Sequence, residues 1–346
     1  MRLLVLAQDY PSPGKFYAMS YVHTRNVEYL AFGHDVTVLN FSASQDYDID
    51  GVQVVTEASL KINSYDRILS HAPNIKNHVR FISKLKNNKV TFFFHGHEVL
   101  RRTDYPPPYS WNSPNALKTV LTQAYDYFKL RLLRKWFRFV STRNEVKMVF
   151  VSQWMQEQFE RGLNLKASDI GAVAVIPNSV HPAFLSNTYA PTLIADFVTI
   201  RPLDDSKYCL DLIVKFAEAN PTLKFHVFGK GRFFSKNSVP SNLVWFDQFI
   251  SQEQIPQLLN QYRCALMPTR YDAQGVMMCE MATFGIPLVT SNIDICQEML
   301  GGMDNCKFFD EEDFGLTFDI SSLKPANCNH RRFDPKKIIS TELSFI

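Results

Sequence analysis

Short apolar runs alternate with helical stretches through the first half of the chain, and the same alternation starts afresh in the second half. Residues 2–7, 35–41, 52–56, 67–70, 90–94, 148–152 and 172–176 read as buried strands. Residues 20–31 carry helical apolar spacing, which Gly33 stops. The second series has strands at 197–200, 224–228, 244–246, 264–267 and 287–290, with helices at 209–219 and about 276–284. Unbroken apolar strands separated by helices suit parallel sheets covered on both faces. Two such series predict an α/β chain of two Rossmann-like, doubly wound domains facing each other across a cleft. The Pro-, Asn- and Ser-rich stretch 178–191 marks the join. The expected division is an N-terminal domain over residues 1–185, a C-terminal domain over 192–330, and a closing helix over 331–346 that packs back toward the first domain.

The chain has 346 residues, enough for two domains, and its 28 Phe and 14 Tyr can fill two cores. A formal net charge of +3 is too weak for a nucleic-acid footprint, so no nucleic-acid partner is expected. There is no run of about 18 apolar residues to cross a membrane. Residues 1–7 are too short for a signal peptide. All six cysteines (Cys209, Cys264, Cys279, Cys296, Cys306 and Cys328) fall in the second half, and none forms a CxxC pair. They read as reduced thiols of a cytoplasmic protein rather than as disulfides or zinc ligands.

Open parallel sheets bind ligands beyond the carboxyl ends of their strands, so the chemistry is to be sought in the loops that follow strands. The most informative is residues 267–291, MPTRYDAQGVMMCEMATFGIPLVTS. A strand ends at Pro268, a polar loop leads to Gly275, and a helix follows. The free N–H groups and positive dipole end of that helix suit a phosphate, and Gly275 lets a ligand approach the main chain. Glu280, five residues beyond Gly275, can accept two ribose hydroxyls at once, and Asp272 can reach a sugar hydroxyl. The alternative is an ordinary helix with Glu280 on its solvent face. In residues 197–219 a strand ends at Arg201 and a helix begins near Lys207. Two cations there can neutralise a departing diphosphate, or they are surface charges beside a loop. A third strand, in VTFFFHGHEVL (residues 90–100), ends at His95, and the loop QDYPSPGKF (residues 8–16) offers a single glycine, Gly14.

The order acid, seven residues, Glu, then Ala-x-Ala-x-Gly-x-Pro stands here as Asp272, seven residues, Glu280, Met281, Ala282, Thr283, Phe284, Gly285, Ile286 and Pro287. It resembles the signature of the retaining glycosyltransferases of family 4, which have the GT-B fold. Asp272 replaces the usual Glu, Ala273-Gln274-Gly275 replaces Gly-Phe-Gly, and Met281 replaces Ala. The resemblance implies that Glu280 holds the ribose of a donor and that Asp272 contacts its sugar. It also implies that the main chain around Gln274, Gly275, Val276 and Met277 meets its phosphate. Arg201 and Lys207 would neutralise the leaving diphosphate, at a spacing one residue longer than the family's. His95, rather than His97, would reach the donor sugar, and Gly14 would stand in the loop that touches phosphate and opens to the acceptor. Residues 150–159 and 175–184 resemble the end of the family's first domain, with Ser179 for the usual Gly, and read as scaffold and hinge; FGKG at 228–231 resembles a nucleotide-side strand end.

The implied activity is transfer of a hexose from a nucleotide diphosphate sugar, UDP-sugar favoured, to a glycan or lipid-linked acceptor in polysaccharide or cell-surface glycan assembly. It proceeds with retention and without a metal or other cofactor. A nucleotide-sugar epimerase of the same architecture and a catalytically silent sugar-binding or partner protein are the alternatives. Residues 125–140 add a membrane element. Arg131, Arg134, Lys135 and Arg138 fall on one helical face, and Phe128, Leu132, Leu133, Trp136, Phe137 and Phe139 on the other. Such a helix can lie on an anionic membrane at the inner face, or pack its apolar side on the sheet. Asp46, Asp48 and Asp50 read as a solvated turn rather than a metal motif, Asp204-Asp205 as a loop pair, and Cys328-Asn329-His330 as too sparse for zinc.

Overall fold

The computed structural model describes residues 1–12, 15, 18–62, 65–327 and 329–346, so Gly14 and Cys328 lie outside the described residues. The chain forms two compact units. The first is Met1–Arg102, Val120–Ser179 and Pro335–Ile346; the second is Thr103–Thr119 and Val180–Asp334.

The sheet of the first unit contains β1 (Arg2–Ala7), β2 (Asp35–Asn40), β3 (Tyr47–Ile49), β4 (Val52–Val55), β5 (Arg67–His71), β6 (Lys89–Phe94), β7 (Glu145–Phe150) and β8 (Ala172–Val175). Their order is β3-β4-β2-β1-β5-β6-β7-β8. All pairs are parallel except β3–β4. The central β1 is buried from Leu3 to Ala7, which is why its sequence is apolar without alternation. The edge strand β3 corrects the expected turn at residues 46–50. Three residues are too few to show a period of two. Tyr47 is nevertheless anchored, its hydroxyl donating to Pro11 O at 3.0 Å, and the turn is confined to Asp50 and Gly51.

This unit holds the helix Ser20–Ala31 and, from Val120 onward, the helix Ala116–Ser141. Ser20–Ala31 carries the fully buried Arg25. The Arg25 Nε donates to Glu342 of the terminal helix Pro335–Phe345 at 2.9 Å, and its Nη1 to Asn178 Oδ1 at 2.5 Å. The helix anticipated at 125–140 runs over Ala116–Ser141, and its apolar residues divide. Leu130, Leu133, Trp136, Phe137 and Val140 are buried, with Trp136 Nε1 donating to Ser83 Oγ at 2.8 Å. Phe128, Leu132 and Phe139 remain exposed. The expected single apolar face is therefore two faces.

The second unit has β9 (Ala195–Ile200), β10 (Phe225–Phe228), β11 (Leu243–Phe246), β12 (Tyr262–Leu266), β13 (Leu288–Ser291) and β14 (Cys306–Phe309). All pair in parallel, in the order β11-β10-β9-β12-β13-β14. This is the dinucleotide-binding strand order, whose direction reverses between its first and fourth strands, here β9 and β12. Phe197, Phe216, Phe225 and Phe314 fill its core. The strand β14, inside a tail that shows little pattern, was not anticipated; only four residues long, it alternates burial weakly. Among the described cysteines all are free thiols, and Cys209, Cys264, Cys279 and Cys296 are buried. No described helix is long and apolar enough to cross a membrane.

Candidate nucleotide-sugar site

The reversal point between β9 and β12 fixes where a ligand can sit on the second unit, beyond the carboxyl ends of those strands. Three loops meet there. Arg201 follows β9, Gly229 follows β10 and Pro268 opens the loop after β12. Gly229 has φ 153°, and a Cβ on it would lie 1.8 Å from the Arg201 carbonyl oxygen. Only glycine lets these strand ends approach so closely.

Arg201 is buried. Its Nη1 donates to Tyr208 O at 2.7 Å and also to Pro268 O, so the guanidinium ties the β9 and β12 loops together. Burial pushes its pKa down. Its Nε is buried without a hydrogen-bond partner among the described residues. Lys207 stands in the turn Ser206–Tyr208, with its N–H donating to Asp205 Oδ1 at 3.1 Å. Its ammonium is 4.8 Å from the Tyr208 ring centre and 5.9 Å from that of Tyr105. Burial lowers its pKa, but Tyr208, Asp272 and Asp205 together outweigh burial and raise it, so the amine stays charged. The carbonyl of Lys207 accepts from Arg270 N at 2.9 Å and Thr269 Oγ1 at 3.1 Å. Arg270 in turn makes a bidentate pair with Asp211, at 2.9 and 2.7 Å, which fixes the start of the helix Leu210–Ala219.

The helix Val276–Phe284 begins at Gly275, whose φ of 70° and ψ of 59° are left-handed. No side chain caps its first N–H groups. An uncapped helix start is a ready anion site once a second group points to a ligand. That second group is Glu280, which is 1% exposed rather than on a solvent face. Its Oε1 accepts from Gln252 Nε2 at 2.9 Å and His181 N at 3.2 Å. Its Oε2 is buried and has no hydrogen-bond partner among the described residues. Burial pushes its pKa up to about 8, against the lowering by those two donors. Asp272 has one oxygen engaged locally: Oδ1 accepts from Ala273 N at 2.8 Å and Gln274 N at 3.3 Å, closing the loop that leads to Gly275. Gln274 is buried, and Val276 and Met277 form the first helical turn.

On the second unit Asp272 lies within electrostatic reach of Arg201 and Lys207, and Gly275 and Glu280 belong to the helix that follows its loop. Sequence reasoning missed the partners that hold them. His181 acts through its backbone N–H, which has no side-chain signature, and Gln252 comes from a loop with no motif. Tyr105 belongs to the second unit although it precedes β7, and its ring centre lies 4.7 Å from that of Tyr271. Tyr109 secures this segment, donating to Asp211 Oδ1 at 3.1 Å and accepting from Leu210 N at 3.1 Å.

On the first unit, His95 follows β6 and is half-buried, whereas His97 is exposed. Glu98 pins the loop by accepting from His95 N at 2.9 Å and Gly96 N at 2.6 Å. His95 Nε2 and His71 Nδ1 share a hydrogen bond of 3.0 Å. Burial, with Arg25 and His97 adding, holds His95 well below the usual imidazole range, so the ring is neutral near pH 7. The Asp46–Asp50 acids do not gather: Asp46 accepts from Thr56 N, Asp48 from Gly51 N, and Asp50 pairs with His23. Among the described residues no group of three or more His, Cys, Asp or Glu could hold a metal ion.

Residues 197–315 match the family described as "Glycosyl transferases group 1". No curated relative matches the sequence. The fold is similar to sucrose-phosphate synthase from Thermosynechococcus elongatus, with TM-score 0.63, 10% identity, and 90% of this chain and 86% of that one covered. It is also similar to AviGT4, a glycosyltransferase involved in avilamycin A biosynthesis, with TM-score 0.62, 12% identity, and 99% and 96% covered. A third similar structure is WaaG, a glycosyltransferase involved in lipopolysaccharide biosynthesis, with TM-score 0.59, 13% identity, and 91% and 88% covered. These are GT-B structures, and the two Rossmann-like units of this chain have that fold.

Proposed function

We propose that the chain is a retaining glycosyltransferase of the family 4 type that moves a hexose from a nucleotide diphosphate sugar, a UDP-sugar by preference, to a glycan or lipid-linked acceptor in glycan assembly. The observation that carries the reading is Glu280, a carboxyl group with one oxygen satisfied and the other buried without a hydrogen-bond partner among the described residues, in a helix whose start is uncapped. A ribose diol supplies the two donors such an oxygen lacks. The diphosphate is assigned to the N–H groups at Gly275, Val276 and Met277 and to the charges of Arg201 and Lys207. Asp272, through the oxygen not closing its loop, and Gln274 are assigned to the donor side, and neutral His95 to a hydroxyl of the transferred sugar. Gly14, outside the described residues, is assigned to phosphate.

For the chemistry, we favour front-face displacement. The acceptor oxygen bonds to the anomeric carbon on the face from which the diphosphate leaves, the bond from carbon to the diphosphate oxygen breaks, and a diphosphate oxygen takes the acceptor proton. Lys207 and Arg201 stabilise the developing charge, a contribution of roughly 3 kcal/mol per group when preorganised. No step requires a metal. Isolation of a glycosyl-enzyme adduct would defeat this route.

The test is release of nucleotide diphosphate over a panel of donors, with and without glycan and lipid-linked acceptors. Release that depends on both one donor and an acceptor supports the proposal. Conversion of donor sugar without acceptor identifies an epimerase instead, and binding without turnover a silent sugar-binding protein.

A further inference from the structure

The helix Ala116–Ser141 has an apolar face that its own unit does not cover. Leu121, Tyr125, Phe128, Leu132 and Phe139 recur at intervals of four, three, four and seven, so at about 100° per residue they lie within roughly 60° of one another. Their exposure runs from 44% at Phe139 to 68% at Phe128. The row is about 27 Å long at 1.5 Å per residue. The adjoining face holds Leu130, Leu133, Trp136, Phe137 and Val140 in the core, so the helix is anchored independently of anything the exposed row does.

Charge decides what covers this face. Arg131, Lys135 and Arg138 are exposed and border the row on one side. The only acid between residues 116 and 141 is Asp126. It is buried, accepting from Arg102 N at 2.6 Å and pairing with Lys129 at 3.1 Å. The exposed side of the helix is therefore apolar and cationic, with no carboxylate. A second copy laid against it would bring like charge to like charge. A lipid surface with anionic headgroups supplies both an apolar layer for the row and phosphates for the arginines.

We propose that this face is a membrane-docking surface: the helix lies flat on an anionic bilayer, with Leu121, Tyr125, Phe128 and Leu132 in the headgroup–acyl boundary and Arg131, Lys135 and Arg138 on lipid phosphates. The proposal does not depend on the transferase reading, since vesicle binding is measured without donor or turnover.

The experiment is flotation of the full-length chain with vesicles of neutral phosphatidylcholine alone or with about a third phosphatidylglycerol. Binding is expected only with the anionic lipid and should weaken as salt rises. Each basic residue near an anionic surface is worth roughly a fivefold change in partition, so R131E/R138E should lose 25-fold or more. The neutral pair Leu121→Gln/Phe128→Gln should lose at least as much. Because all four positions are exposed, the circular dichroism and melting temperature of both variants should be those of the parent. A fluorophore at Phe128→Cys should shift to the blue on anionic vesicles only. Equal binding to neutral and anionic vesicles, unchanged binding by either pair, or no binding at all overturns the proposal. So does a concentration-dependent dimer in ultracentrifugation that L121Q/F128Q dissociates, which would assign the face to a second copy.

Discussion

Glu280 ties the nucleotide proposal to a proton. With its pKa near 8 in the free protein, the carboxyl is about nine-tenths protonated at pH 7. Ribose hydroxyls donating to Oε2 favour the ionised form and pull the pKa back toward the ordinary carboxylate range. Donor binding at pH 7 should then release close to one proton, about half a proton at pH 8 and almost none at pH 9. The cost of ionising the group first is about 1.4 kcal/mol at pH 7, one pH unit below the pKa. Donor affinity should therefore rise about tenfold per unit as pH increases toward 8 and level off above it. Calorimetry of UDP binding, in buffers matched for pH but differing in ionisation enthalpy, counts the proton directly. Glu280→Gln keeps the shape, loses the titration, and should give weaker, pH-independent binding. Flat affinity between pH 6 and 9 in the parent, or the same slope in Glu280→Gln, would refute the assignment.

The same shift bears on stability. A carboxyl whose folded pKa is raised contributes stability that is full below its unfolded pKa of 4.5 and lost as pH rises through 8. The melting temperature of the parent should fall over that window relative to Glu280→Gln, with no further change from this group above it. Lys207→Ala should leave the melting temperature within about 2 °C, since its side chain holds no backbone carbonyl, and should lower kcat by about 100-fold with a smaller change in KM. Gly229→Ala should destabilise by roughly 2–3 kcal/mol in urea titration, because its Cβ meets the Arg201 carbonyl at 1.8 Å and the backbone must shift. Glu342→Ala should cost about 3–5 kcal/mol by leaving Arg25 buried and unpaired, and Arg25→Met/Glu342→Leu should recover most of it.

The strand–helix series were legible because parallel strands buried on both faces are apolar throughout, as Leu3–Ala7 and Phe92–Phe94 are. The limits of Val276–Phe284 were legible because a left-handed glycine opens and another closes that helix. The strands Tyr47–Ile49 and Cys306–Phe309 were not, being too short for a period to show. At the site, the charged side chains announced themselves through spacing, whereas their supports did not. The N–H of His181 is common to nearly every residue, and Gln252 sits in a loop without pattern. Tyr105 lies in the first series by sequence and in the second unit by packing, a consequence of Tyr109 bonding to Asp211 and Leu210. The helix Ala116–Ser141 shows the converse limit, since a helical wheel cannot say which of two apolar stripes meets the core.

The central claim is group transfer, and its most direct measurement is stoichiometry. A donor labelled in its sugar should pass one label to the acceptor for each nucleotide diphosphate released, with the anomeric configuration of the product the same as that of the donor. Lys207→Ala should slow both events equally. Label that stays with the nucleotide, reaches only water, or arrives with inverted configuration would contradict the account.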